Sequence, residues 1–404
     1  MWRLLRASGG GAGRVAGRRR LHTLPKGADG ALPLTVTVAM SGGVDSSVTA
    51  LLLARADINL RAVYMRNWST LDESGSMAPG SGGASGCEWQ KEWEDVQRVC
   101  RHLGGIPVEL VNLSREYWVD VFEPALGQWA DGVTPNPDVE CNRSIKFGAL
   151  LERIHTPWLA TGHYARIERS ADRASACLRR AVDASKDQSY YLSSVREDAL
   201  IRSIFPLGGL LKHSVRELAR KHALPTAEKD ESMGLCFVGE RGGKRGFARF
   251  LDGYVEGSPG DICMPDGQVI GRHSGLHSYT VGQRARVSGL AERYFVARKD
   301  PQSNTIIVVP GSTHPMLECT SLSSQSFSWI SRQGAPSLTS ANNLAAQVRY
   351  RQAPVPCQVT SDGERVTVTA RAPVYAVTQG QYVALYDKDV CLGSGIIDQV
   401  QTRA

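Results

Sequence analysis

The stretch VTVAMSGGVDSSVTALLL, residues 36–53, limits the fold of this chain more than any other feature. The run from Leu34 to Met40 reads as a buried strand, Ser41-Gly42-Gly43 as a tight turn, and residues 46–56 as a helix beginning near Asp45. A strand that feeds a helix through two glycines places the first helical N–H groups, and the positive end of the helix dipole, at the C-terminal edge of a sheet. Gly42 and Gly43 leave room for a phosphate to approach the backbone, and Ser41, Ser46 and Ser47 add hydroxyl donors. The turn is therefore an anion cradle, the competing reading being a serine- and aspartate-capped turn with no ligand. It is neither GxxxxGK[ST], which needs a lysine absent here, nor the dinucleotide pattern GxGxxG.

The surrounding rhythm agrees with a parallel α/β sheet. Strands are expected at Leu34 to Met40, Leu60 to Arg66, Ile106 to Leu113 and Trp158 to Ile167, with helices at 46–56, 88–103, 114–131 and 144–154. Residues 70–86 interrupt it as a Gly/Ser/Pro loop. This first domain spans 34–205. A small central domain, with a helix at 213–223, occupies 206–290. From 291 to 404, short β-type runs such as TIIVVPG, QVRYR and QYVALYD read as an all-β barrel or sandwich.

The formal charge of +7 suggests a polyanionic partner until it is located. Seven basic and no acidic residues lie in 1–28, and the remainder holds 40 of each sign. The body is neutral, so only local basic clusters can argue for nucleic acid. Residues 1–28 suit an organellar presequence, the alternative being an RNA-binding basic tail. A mitochondrial matrix location is the expectation, without membrane insertion and as a monomer. The nine cysteines show no CxxC pair and no zinc spacing, which argues against a structural metal and a disulfide framework.

The SGGVDSS loop at 41–47 resembles the signature of the ATP-pyrophosphatase (PP-loop) superfamily, whose fold is that of the adenine nucleotide alpha hydrolases. The resemblance implies ATP and Mg2+, with Asp45 the nearest candidate to touch the metal. Ala39, Met40, Ser41, Gly42, Gly43, Val44, Asp45 and Ser46 would line the nucleotide. Its adenine would lie near Met65, at the end of the second strand, and near Gly162 of ATGH.

Cys141 lies in TPNPDVECN, read as a rigid loop just before the helix SIKFGALLERI, where a thiolate would be favoured. Cys236 lies in GLCFVGE, near the basic run RGGKR. For either alone, a buried hydrophobe is the ordinary reading. In order along the chain, VAMSGGVDSS, TPNPDVECN, LATGHYARI, KDQSYYL and GLCFVGE resemble the tRNA 2-thiouridylase family, and the presequence resembles its mitochondrial branch. The resemblance implies that ATP adenylates the wobble uridine of tRNAs for lysine, glutamate and glutamine, and that sulfur then replaces O2. Cys236 would carry a persulfide received from a donor protein. Cys141 would release that sulfur or close a disulfide with Cys236, and Asp138 would act as acid or base. It assigns the target base to Asn136, Pro137 and Asp138. It assigns other tRNA contacts to His163, Lys186, Asp187, Gln188, Arg349, Tyr350 and Gln381, with QGQ at 379–381 where the family has PGQ. RGGKRGFARF, 241–250, is a further candidate phosphate-binding segment. Two other readings fit the loop: a PP-loop synthetase making an amide or guanidino product, with no use for the cysteines, and a tRNA-binding or redox-sensing protein with a vestigial ATP site.

Overall fold

The computed structural model describes residues 34–68, 88–230, 244–285, 287, 292–336, 344–363 and 365–404, with 88 and 244–246 by backbone alone. The expected presequence, the 70–86 loop and Cys236 lie outside the described residues.

Strands β1 (Leu34–Met40), β2 (Ile58–Arg66), β3 (Val108–Asn112), β4 (Trp158–Ala160) and β7 (Ser203–Ile204) form one parallel sheet in the order β3-β2-β1-β4-β7. Helix α1 (Val44–Ala54) follows β1, and α2 (Glu88–His102) packs Val96, Val99 and Cys100 on Val36 and Val38 at one face of the sheet. On the other face lie α3, spanning 114–130, and α4, spanning 137–153, which gather Phe122, Trp129, Ile145 and Leu150 around Val63 and Leu159. Burial on both faces is why the middle of these strands is apolar, as at Val36 and Val38 of β1 and Ala62 and Val63 of β2. The strand order reverses at β1, between β2 and β4, which opens a crevice at the carboxyl ends of these strands.

Three sequence expectations change in space. The run from Trp158 to Ile167 is not one strand. It breaks at ATGH, and β5 (Ala165–Arg169) leaves to pair with β6 (Ala176–Arg180). That hairpin joins the C-terminal sheet, where Leu178 sits opposite Cys391. Past the short helix α5 (Glu197–Ile201), helix α6 (Lys212–Lys221), expected in the central domain, packs Val215 and Ala219 against Val44, Val48 and Leu51 of α1. Its apolar stripe is covered by the first domain, so that domain continues past 206.

The central sheet runs β10-β11-β12-β8-β9: β8 (Gly260–Cys263), β9 (Val269–His273), β10 (Arg284–Ala285), β11 (Tyr294–Asp300) and β12 (Thr305–Pro310). The strand at TIIVVPG therefore belongs here and not to the C-terminal unit, because Thr305–Ile307 pair in parallel with Asp261–Cys263. From β13 (Glu318–Ser324) to β20 (Gln399–Thr402) the strands are antiparallel around Leu322, Val368, Val383 and Leu385.

Candidate active site

The loop after β1 has the shape its sequence requires. Gly42 adopts φ +70°, and a Cβ there would stand 2.8 Å from the Glu92 carbonyl oxygen. Only glycine meets both conditions. Gly43 is the N-cap of α1, and its carbonyl accepts from Ser47 N at 3.2 Å, Ser47 Oγ at 2.8 Å and Ser46 Oγ at 3.1 Å. Ser46 Oγ accepts in turn from Ser41 N at 3.2 Å. The hydroxyls thus brace the loop. Ser47, fully buried and receiving a hydrogen bond from Thr226 Oγ1, is not the anion donor the sequence suggested. Ser41 is exposed at the mouth, while Met40 and Val44 are buried and Ala39 is half-buried behind it. A second brace comes from Lys229, whose Nζ donates to Gly42 O at 3.2 Å and to Asp95 Oδ2 at 2.8 Å. Burial opposes ionisation of Asp95, but Lys229 and Arg98 outweigh it and hold its carboxyl below the usual range.

Gly162, in the turn after β4, comes up against the start of α1: a Cβ there would stand 3.0 Å from Ser46 N and 3.1 Å from the Asp45 carbonyl carbon. The two glycine turns after β1 and β4 therefore flank the crevice at the switch point, and Met65, buried at the end of β2, lies along the same edge. Asp45 is half-exposed in this mouth. Its carboxylate accepts from Lys212 Nζ at 2.7 and 2.8 Å and from Tyr164 Oη at 2.8 Å. Nothing in the sequence near Asp45 announces Lys212 or Tyr164. Among the described residues no three His, Cys, Asp or Glu side chains cluster to hold a metal. One carboxylate beside an anion cradle suits Mg2+, which commonly uses one or two carboxylates plus substrate phosphates.

Cys141 does not precede its helix. α4 opens at Pro137–Glu140, continues as a π-helical segment over Cys141–Ala149 and ends at Leu150–Arg153. Pro137 takes the first helical position, where a missing N–H costs nothing. Cys141 is then in the second turn and fully buried, so the dipole at the helix start does less for it than the sequence implied. Asn67, one residue beyond β2 and itself buried, puts Nδ2 4.0 Å from Cys141 Sγ. This places the cysteine at the same sheet edge as the nucleotide loop. Asp138 is half-buried, its carbonyl accepting from Asn142 Nδ2 at 2.9 Å.

The loop before α4 is held by residues of the two other units. Gln381 Nε2 donates to Thr134 O and Pro135 O at 2.9 Å each, and Asn136 Nδ2 donates to Gln381 Oε1 at 3.2 Å. Tyr382 Oη donates to Glu140 Oε2 at 3.1 Å. Lys299, from β11, donates to Thr134 Oγ1 at 3.0 Å, and burial lowers its pKa to about 8. Asp120, Gln128, Asn136, Pro137, Gly380 and Tyr382 help line a cleft of about 150 Å³ beside this loop.

The remaining expected RNA contacts fall into two groups. His163 is half-buried between Phe147 and Phe205, with Nδ1 2.7 Å from Thr161 Oγ1. Burial, then the charge of Lys146, holds its pKa well below the ordinary value, so the imidazole is neutral. Asp187 turns inward, accepting from Arg180 Nε, Ala181 N and both N and Oγ of Ser189, so its carboxylate organises the KDQ turn and does not face outward. Lys186 and Gln188 flank it half-buried, and Gln188 Oε1 accepts from Tyr164 N at 3.0 Å. Arg349 likewise faces protein, donating to the carbonyls of Val281 and Ala376 and to Thr378 Oγ1. Tyr350 lies with its ring centroid 4.5 Å from that of Tyr191. Of the 241–250 segment, the described part is helix α7 (Lys244–Leu251), whose Phe247 and Phe250 turn onto Trp129, Phe122 and Trp68. Its phenylalanines are packing residues.

Three family models match in sequence order: the tRNA methyl transferase HUP domain over 34–240, the tRNA methyl transferase PRC-barrel domain over 248–310, and the aminomethyltransferase beta-barrel domain over 319–397. The tRNA-specific 2-thiouridylase MnmA of Shewanella denitrificans is 41% identical over 376 residues, covering 90% of this chain and 96% of that protein. Those of Cupriavidus pinatubonensis and Bacillus pumilus are 42% and 41% identical, covering 91% and 90% of this chain and 99% and 95% of theirs. With three family models matched in order along the chain and relatives 41–42% identical over about nine tenths of it, the chain belongs to the MnmA-type tRNA-specific 2-thiouridylase family.

Proposed function

We propose that this protein uses ATP to replace O2 of the wobble uridine with sulfur in mitochondrial tRNAs, those for lysine, glutamate and glutamine. The observation that carries the reading is the placement of the SGGVDSS cradle, the ATGH turn and Cys141 along one edge of one sheet. Uridine O2 attacks the α-phosphorus of ATP, the bond to the β-phosphate oxygen breaks, and pyrophosphate leaves with the electron pair. The cradle formed by Gly42, Gly43 and the start of α1 binds the phosphates, and Mg2+ held by Asp45 would add Lewis-acid neutralisation of their charge. The terminal sulfur of a Cys236 persulfide then attacks C2, and AMP departs with the oxygen. Cys141 thiolate attacks the Cys236 sulfur, leaving the transferred sulfur on C2 and a Cys141–Cys236 disulfide that an external thiol reduces. Asp138 serves as acid or base. A persulfide-bearing donor protein would recharge Cys236, and the enzyme would work as a monomer.

The test incubates the protein with Mg2+, ATP, a persulfide source and unmodified mitochondrial tRNA. Retarded tRNA on a mercury gel together with AMP supports the reading; ADP, or unchanged tRNA, refutes it. Cys236→Ser should abolish thiolation while tRNA still binds, and normal thiolation would remove the persulfide role. Localisation has its own assay: residues 1–28 fused to a reporter should drive import into isolated mitochondria, and a reporter left outside would sink that part.

A further inference from the structure

The nucleotide loop has no lysine of its own, yet the fold delivers two to it: Lys229 braces Gly42 O and Asp95 from behind, and Lys212 reaches Asp45 at the mouth. Lys212 stands at the first position of α6, 167 residues from Asp45 in sequence, with its Nζ within 2.7 and 2.8 Å of the two Asp45 oxygens. Its origin is fixed twice. The Lys212 backbone N donates to Asp183 Oδ2 at 2.9 Å, and α6 lies on α1 through Val215 and Ala219. Its ammonium is also 5.6 Å from the centre of the Tyr164 ring, whose hydroxyl shares Asp45. The Lys212 side chain is 12% exposed and that of Asp45 34%, so the carboxylate faces the mouth and the lysine backs it.

We propose that Lys212 is the phosphate-directed lysine of this site, exchanging Asp45 for the phosphates of a nucleoside triphosphate when the nucleotide binds. This assignment rests on the ATP reading above. An anion seated at the start of α1 lies beside Asp45, because Asp45 is the second residue of that helix and Gly162 closes the far side. A triphosphate there meets a carboxylate of its own sign. Neutralising that repulsion requires a cation that can serve both partners, and Lys212 is in contact with one of them already. A metal ion taking an Asp45 oxygen would repel the ammonium from the carboxylate and towards the phosphates. The four-carbon stem lets Nζ pivot while the backbone stays pinned by Asp183. In the adenylation step no proton need move: as the bond between the α-phosphorus and the bridging oxygen breaks, the electron pair goes to pyrophosphate, and the ammonium balances the charge gathering there.

Calorimetric titration of the full chain separates this from a purely structural ion pair. The probes are Mg2+ with α,β-methylene-ATP, which keeps the phosphates but cannot be cleaved, and adenosine, which lacks them. Lys212→Met should raise the dissociation constant for the first by about tenfold or more and change the second by less than about twofold, with Lys212→Arg between wild type and Met. An unchanged affinity for α,β-methylene-ATP, or an equal loss for both probes, would overturn the proposal. Wild-type protein supplies a measurement that needs no variant: acetylation of Lys212, followed by peptide mass spectrometry, should slow with Mg2+ and α,β-methylene-ATP and not with adenosine. Labelling that is unchanged or faster overturns it as well. Wild-type protein that fails to bind α,β-methylene-ATP at all would bring down the nucleotide reading itself, whereas binding indifferent to Lys212 would remove only the lysine.

Discussion

Gly42 illustrates how a residue can be legible from sequence and still hold something back. A glycine pair between strand and helix announces a phosphate turn, and the φ of +70° agrees. That the position also lies under the Glu92 backbone, fifty residues away, could not be read locally. We predict that Gly42→Ala destabilises the loop by about 2 kcal/mol or more, from backbone strain and the clash together. Calorimetry should show weakened α,β-methylene-ATP binding with the far domains still folded; wild-type affinity would contradict the geometry. His163 is the opposite case, a candidate RNA contact whose surroundings are two phenylalanines and a threonine. Its folded pKa is depressed, so the unfolded state takes up a proton first as pH falls. Its contribution to stability is complete above the unfolded value of about 6.5 and is lost below it. The thermal midpoint should therefore fall from about pH 7 to about pH 5.5, and His163→Gln should fall less steeply over the same range. His222 and His273, shifted the same way, keep the variant's slope from vanishing. Identical slopes would show that His163 is not held neutral.

At the scale of elements, pattern reading located β1, β2, β3 and the first three helices closely, because each is apolar on the face it buries, but it ran β4 on into β5 and did not mark the two-residue β7. It failed where a local signal had two solutions. TPNPDVECN has the prolines and asparagines of a loop, and only the structure shows that Pro137 opens α4 and carries Cys141 into it. The turn holding that loop comes from the barrel: Gly380 at φ +87° sits so close that a Cβ would be 2.3 Å from Val133 Cγ1, and Gln381 answers two carbonyls and Asn136. Gln381→Ala leaves those carbonyls without their donor, at an expected cost of about 1–3 kcal/mol. Thiolation should drop while α,β-methylene-ATP binding stays at the wild-type value. A matching loss of nucleotide affinity would mean that Gln381 acts on the whole sheet edge, not on the loop.

On the scale of the molecule, three units distinct in sequence are joined in space. The β5–β6 hairpin belongs to the first unit by sequence and to the C-terminal sheet by pairing, with Arg179 opposite Val390 and Leu178 opposite Cys391. Lys299 ties the central sheet to Thr134 of the first unit. A chain ending at 317 would expose the β6 edge and uncover Leu178, which is fully buried. We expect that fragment to lose the sharp thermal transition of the full chain and to aggregate, as scanning calorimetry and size-exclusion chromatography would report; a soluble fragment with a transition of its own would mean that the first unit stands alone. The sequence by itself determined the glycine cradle, the parallel sheet and the two cysteines in their motifs, because these depend on residues that are neighbours along the chain. Tertiary structure alone decided that Lys212 faces Asp45, that Gln381 clamps Asn136, and that Asp187 turns inward. Each of those depends on packing between segments far apart in sequence, where no periodicity or spacing records the contact.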